Sequence, residues 1–315
     1  MAGLYRGPII DAHCHLWDLA MDRHPWLRPK GDAIQALGDL GPIRRNYLVD
    51  DYRRDAADQN VVASVHIEAA WDRSDDPLAE IRWLETLDKS SGVAVRYIGF
   101  ADLASPGAGV VLDRLAQVER CVGVRQMLSW HPTQPARSFA QRPGIADEGG
   151  FRRGVALLAR HDQLLELMLY PYQAEEVARL AHDVPGQTII VNHCGSPIDR
   201  DPDGMARWRQ ALKLLGAAPN VMIKISALTA YDPRPKACAR SRFIASKASA
   251  STGRCSAATF RSGGYGRASM RSSTASRRSS AISPKPGSPR FSMTMRGASI
   301  ASRRFERRLS GSRQM

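Results

Sequence analysis

The first apolar run of the chain is short, Ile9-Ile10, and passes straight into the polar positions Asp11, His13 and His15. Side chains alternate faces along a strand, so His13 and His15 project to the same side, about 6–7 Å apart. A longer run, Val61 to Ile67, ends on Glu68 and predicts a second strand. Leu78, Ile81, Leu84 and Leu87 then recur at helical spacing. Further strands are expected at Val95–Phe100, Cys121–Leu128, Leu164–Tyr170, Thr188–His193 and Val221–Ser226. Helical patterns lie between them, the clearest being Met205, Trp208, Leu212 and Leu215. The stretch from His24 to Tyr52, rich in Trp, Pro and charge, carries no readable period.

Near-continuous apolar strands alternating with amphipathic helices imply a parallel sheet covered by helices, an α/β fold. No Gly-x-Gly-x-x-Gly loop follows the first strand, which weakens the doubly wound alternative. A barrel fits better, because His15, Glu68, Arg125, Tyr170, His193 and Lys224 fall at the C-terminal ends of strands, where barrel enzymes assemble their sites. Seven strands leave a barrel one short, so the eighth is expected beyond residue 236.

Composition changes this picture at one point. The net charge of +14 would ordinarily suggest nucleic acid as a partner. Residues 236–315, however, hold 3 Lys, 15 Arg and a single acid, Glu306, a charge of +17 that leaves −3 for residues 1–235. The chain therefore divides into a mildly acidic body, 1–235, and a tail, 236–315, with 19 Ser and no Asp. Taken at face value the tail is disordered and could bind nucleic acid. An out-of-frame translation explains it better, because the switch falls inside a βα unit. Read from the third base of each codon, Ala257–Ser262 permits Ser-Asp-Phe-Pro-Val. The same offset in Ser292–Arg296 permits His-Asp-Asn-Ala, with its Asp forced because Met has one codon and Thr codons begin AC.

The body has no run of about 18 apolar residues and the N-terminus has no signal-peptide pattern, so a cytoplasmic protein without a membrane partner is expected. Five cysteines, odd in number and scattered, fit reduced thiols. Cys14 and Cys194 flank histidines but face the other way by alternation, as packing residues.

His13 and His15 can share a metal ion or both reach one carbonyl. His66 and Glu68 share a face, for a paired site role or a hydrogen-bonded pair at the barrel mouth. Arg125 could hold a substrate carboxylate or a structural ion pair. Trp130-His131 could line the mouth or cap a loop, Tyr170 and Gln173 could contact substrate or serve the core, and Lys224 is a possible site cation. His24, His161 and His182 are expected in solvent.

Asp11-Ala12-His13-Cys14-His15-Leu16-Trp17, Val65-His66-Ile67-Glu68-Ala69, Gly123-Val124-Arg125-Gln126, Asn192-His193-Cys194-Gly195-Ser196-Pro197 and Pro219-Asn220-Val221-Met222-Ile223-Lys224-Ile225-Ser226 occur in that order. Together they resemble the amidohydrolase-related (amidohydrolase 2) family, most closely its sugar-lactone and dicarboxylate-lactone hydrolases. The resemblance runs through most of residues 8–235 and implies a (β/α)8 barrel of the amidohydrolase type. It also implies a hydrolase in which water attacks a lactone carbonyl. His13, His15 and His193 match the family's histidines, which hold a divalent ion, commonly zinc, or act on substrate directly without metal. The fifth-strand position, often His in metal-rich relatives, falls here among Leu169–Gln173. The eighth strand of the family usually ends in Ser-Asp-Phe/Trp-Pro, and its Asp serves as base or metal ligand. No Asp follows Asp232 in this chain, so the chain as written is expected to be inactive or poorly folded. The alternatives are a decarboxylase on the same barrel and a nucleic-acid binder acting through the tail.

Overall fold

A computed structural model describes residues 7–29, 35–38 and 40–227, together with the backbone of 255–256. Its sheet is parallel throughout, with strand order equal to chain order. The strands are β1 (Ile9–Cys14), β2 (Val61–Ile67), β3 (Arg96–Phe100), β4 (Cys121–Met127), β5 (Leu164–Met168), β6 (Ile189–Val191) and β7 (Val221–Lys224). A two-residue strand β8 (Cys255–Ser256) pairs with Ile223 and Lys224 of β7. Among the described residues nothing pairs β8 with β1. The expected tail and the change of frame lie outside the described residues.

Among the described residues six α-helices alternate with the strands: α1 (Val49–Ala56), α2 (Ala79–Thr86), α3 (Ala108–Ala116), α4 (Gly149–Arg160), α5 (Ala174–Asp183) and α6 (Pro202–Ala217). The strand period of two divides the apolar side chains between two cores. Leu165, Leu167, Ile189 and Val191 face outward and pack with helix residues such as Leu158 and Trp208. Val65, Ile67, Ile98, Val122, Leu164 and Ile190 fill the interior of the curled sheet. The seven expected strands are all present, several of them one to three residues shorter than expected. Helix α1 falls in the stretch without a readable period. Its sequence, VDDYRRDA, buries only Tyr52, so it carries no apolar stripe to read.

The close approach of β4 and β5 depends on Gly123. A Cβ there would lie 2.3 Å from the Leu164 carbonyl oxygen, which is backbone and cannot step aside. Gly123→Ala is expected to destabilise the protein by about 1–3 kcal/mol through overpacking, read as a lower urea midpoint at unchanged slope. An unchanged midpoint would show that the two strands separate without cost.

Candidate active site

The register of β1 against β2 shifts between Asp11 and Cys14. Asp11 turns toward α1, where its Oδ2 accepts from the Tyr52 hydroxyl at 2.8 Å and its Oδ1 from the His13 amide at 3.0 Å. The irregularity therefore separates Asp11 from the two histidines. The Nε2 atoms of His13 and His15 lie 3.2 Å apart. His15 Nδ1 donates to the Ile67 carbonyl at 2.7 Å, which leaves its Nε2 as a bare acceptor.

His193 joins them from the end of β6, its ring centroid 4.5 Å from that of His13. It opens a turn in which His193, Cys194, Gly195 and Ser196 all have positive φ, at 53°, 54°, 67° and 38°. Left-handed non-glycine residues cost about 1–3 kcal/mol each and persist where the surroundings hold them. Here the Gly195 amide donates to Asn192 O, the Ser196 amide to His193 O, and the Trp208 indole to Cys194 O. The His193 Nδ1 lies 2.9 Å from Ser226 Oγ beyond β7.

Burial holds His13 and His15 well below the ordinary histidine range, helped by neighbouring cationic and imidazole groups. Burial, reinforced by Arg125 and Lys224, pushes His193 down to about 3. All three rings are thus neutral at neutral pH. Burial also raises Asp11 to about 6, against the hydrogen bonds it accepts.

Two buried ion pairs stand around the histidines. Lys224 Nζ on β7 lies 2.5 Å from Glu166 Oε1 on β5, and Asn192 Nδ2 donates to the other Glu166 oxygen at 2.8 Å. Both charged side chains are 1% exposed. Burial pulls the Lys224 ammonium down, and Glu166 works against it. Arg125 donates from Nε to Glu68 Oε1 at 2.8 Å and from Nη2 to Glu68 O at 2.5 Å. Arg73 takes Glu68 Oε2 at 2.7 Å and lies over the Phe100 ring. Burial alone would raise Glu68, but the two guanidiniums hold its carboxyl well below the usual carboxylate range.

The expected substrate contacts fare unequally. His66 faces α2 instead of the interior, with Nδ1 accepting from the Leu16 amide and Nε2 against Glu80, so both ring nitrogens are committed to protein. Arg125 forms the structural ion pair that was one of its two readings, and its partner is Glu68, which does not pair with His66 as expected. The Gln173 side chain clamps the backbone of Trp130 and Tyr170, and the Tyr170 hydroxyl donates to Arg137 O, both loop-fixing roles. His131 caps its own loop through the Thr133 and Gln134 amides and pairs with Asp199. Lys224 points inward, as its phase with Met222 and Ser226 requires. His24 corrects the solvent expectation. It is 2% exposed, packed against Trp71, because the Arg23 carbonyl and the Trp26 indole bind the backbone after β2. His182 is exposed, while His161 is partly buried against Asp113. Cys14 and Cys194 are packing residues of the outer core. Reading the strands did not single out Glu166 or Glu80. Glu166 left a signal, a lone charge inside the apolar run Leu-Leu-Glu-Leu-Met.

Tetrahedral zinc with ligands at 2.0–2.1 Å sets donor atoms ~3.3 Å apart. The His13–His15 pair meets that spacing. Among the described residues no group of three His, Cys, Asp or Glu side chains converges as a metal set. Among them, too, no helix is long and apolar enough to cross a membrane.

Comparison with known families decides the chain's ancestry. The family profile described as Amidohydrolase matches residues 10–254. The chain belongs to the amidohydrolase family. A Sinorhizobium fredii protein, y4mH, described as uncharacterized, is 38% identical to this amidohydrolase over 220 residues, 70% of this chain and 73% of that protein. An L-fucono-1,5-lactonase of Burkholderia multivorans is 27% identical over 225 residues, 70% of this chain and 68% of that protein. A crystal structure of a Burkholderia multivorans amidohydrolase with bound zinc superposes with a TM-score of 0.65 at 23% identity, covering 87% of this chain and 92% of the other. A putative 2-pyrone-4,6-dicarboxylic acid hydrolase from Pseudomonas putida superposes at 0.56 with 16% identity, over 95% and 89%. These superpositions establish the amidohydrolase barrel as this chain's fold.

Proposed function

We propose that this amidohydrolase opens a lactone by attack of water on the ring carbonyl. The observation that carries the reading is the convergence of His13, His15 and His193, buried and neutral, at the C-terminal ends of β1 and β6. The lactonase relative supports the substrate class. Neutral imidazoles both donate and accept, as carbonyl hydrolysis requires. Without the aspartate that the family resemblance expects as base, His15 Nε2, its lone pair fixed by the Nδ1–H bond to Ile67 O, is the acceptor left for the proton of the attacking water. His13 and His193 donate toward the oxygen that gains charge, and Lys224 and Arg125 supply a fixed positive field there. Collapse of the tetrahedral intermediate breaks the ring C–O bond, and the leaving alkoxide takes the proton that His15 Nε2 received from water, which returns the ring to its neutral form. A divalent ion seated on His13 and His15 would add Lewis-acid polarisation of the carbonyl.

The aspartate that the family resemblance expects from an eighth strand has no counterpart in this sequence beyond Asp232. The chain as written is therefore expected to open aldono-1,5-lactones slowly. Restoring the alternative frame after Arg234–Ala237 is expected to raise the rate about 10²–10⁴-fold, the worth of a placed general base. Acid release from a lactone panel, with and without chelator, measures both. A folded restored protein that hydrolyses no sugar or dicarboxylate lactone overturns the proposal.

A further inference from the structure

We propose that the Glu80–His66 pair is a positioning device for His15, working through the peptide that leaves it. The inference rests on the placement of His15 at the reactive centre in the function proposed above.

His66 lies opposite Cys14 in the pairing of β2 with β1, and its ring faces outward toward α2. The Leu16 amide, the first after His15, donates to His66 Nδ1 at 3.2 Å. An amide N–H can only donate, so Nδ1 must carry a lone pair and the ring proton must sit on Nε2. That proton points at Glu80 Oε1, 3.1 Å away, in the first turn of α2. Glu80 is 4% exposed and is itself fixed by the Ala69 amide, which donates to the same oxygen at 2.7 Å. A carboxylate accepts only, so Glu80 selects the one His66 tautomer that can hold Leu16.

The next residue of β2 completes the arrangement. The Ile67 carbonyl takes the His15 Nδ1 proton at 2.7 Å. Two consecutive residues of β2 thus grip His15, one at its ring and one at its exit peptide. Beyond Leu16 the chain is pinned again, by the paired backbone bonds of Trp17 and Tyr47. The His15 ring has little freedom left, and its Nε2 stays aimed at His13 Nε2.

Isosteric variants separate positioning from mere packing. His66→Asn puts an amide oxygen where Nδ1 was, keeping the acceptor for Leu16 and losing Glu80. His66→Gln keeps the donor for Glu80 and loses the acceptor. H66Q is expected to lower kcat about 10–100-fold at unchanged KM, with H66N retaining most of kcat despite the lower melting temperature of an unpaired Glu80. Long-range proton–nitrogen spectra of the histidine rings give a readout that needs no substrate. His15 should keep its Nδ1–H signature in wild type and H66N and show a mixed tautomer in H66Q. If no lactone is hydrolysed but the His15 signature changes in H66Q alone, the functional reading fails and the positioning role stands. Wild-type His15 signals in H66Q, or kcat losses that follow melting temperature across both variants, overturn the positioning role.

Discussion

His193→Asn is expected to lower kcat/KM for lactone opening by about 10³-fold while the melting temperature stays near the wild-type value. Three observations set that expectation. The His193 ring lies 4.5 Å from that of His13 between centroids, so in the reaction proposed above its removal takes a donor from the carbonyl. The backbone at 193 has φ of 53°, a conformation that asparagine adopts more readily than most residues, so the turn survives the change. The turn's own bonds, from the Gly195 and Ser196 amides, involve main chain and are untouched. The effect should fall on kcat, because the lost bond strengthens as charge develops on oxygen. Full activity in H193N would place the chemistry elsewhere in the barrel.

Lys224→Met should have the largest effect on stability. It leaves the Glu166 carboxylate buried with Asn192 as its one remaining hydrogen-bond partner among the described residues. Breaking one side of such a pair costs about 3–5 kcal/mol, because the surviving charge is uncompensated. Removing both charges is a different matter. Lys224→Met with Glu166→Leu replaces the pair by apolar groups of similar size, and most of the loss should return. Urea midpoints of the wild type, both single variants and the double variant form the cycle. A double variant as unstable as the sum of the singles would mean that the two charges are not coupled, and the desolvation argument would be wrong here.

The same residues show how far the sequence could be read. The strands announced themselves because a parallel strand covered on both faces is apolar almost throughout, as Leu164–Met168 is. The His-x-His pair was legible for a related reason, since alternation alone puts both rings on one face. What alternation could not supply was the irregularity that turns Asp11 away from them, because it arises from pairing with β2 and from Tyr52 on a distant helix. His66 was misread by the same rule. Glu68, expected on the same face, turns to Arg125 past the end of β2, while the His66 ring looks outward, toward a glutamate fourteen positions later. His24 was misplaced because its burial depends on contacts across the loop after β2, which leave no period in the sequence.

The loop after β1 has an optical consequence. Trp17 lies 6.1 Å from Trp26 and 5.7 Å from Tyr47, and Trp71 lies 5.9 Å from Trp83 and 5.3 Å from His24. Four of the chain's six tryptophans thus stand in two ring pairs. At such separations excitation passes between indoles before it is emitted. Excitation is therefore shared within the Trp17–Trp26 and Trp71–Trp83 pairs, and each pair emits as a unit.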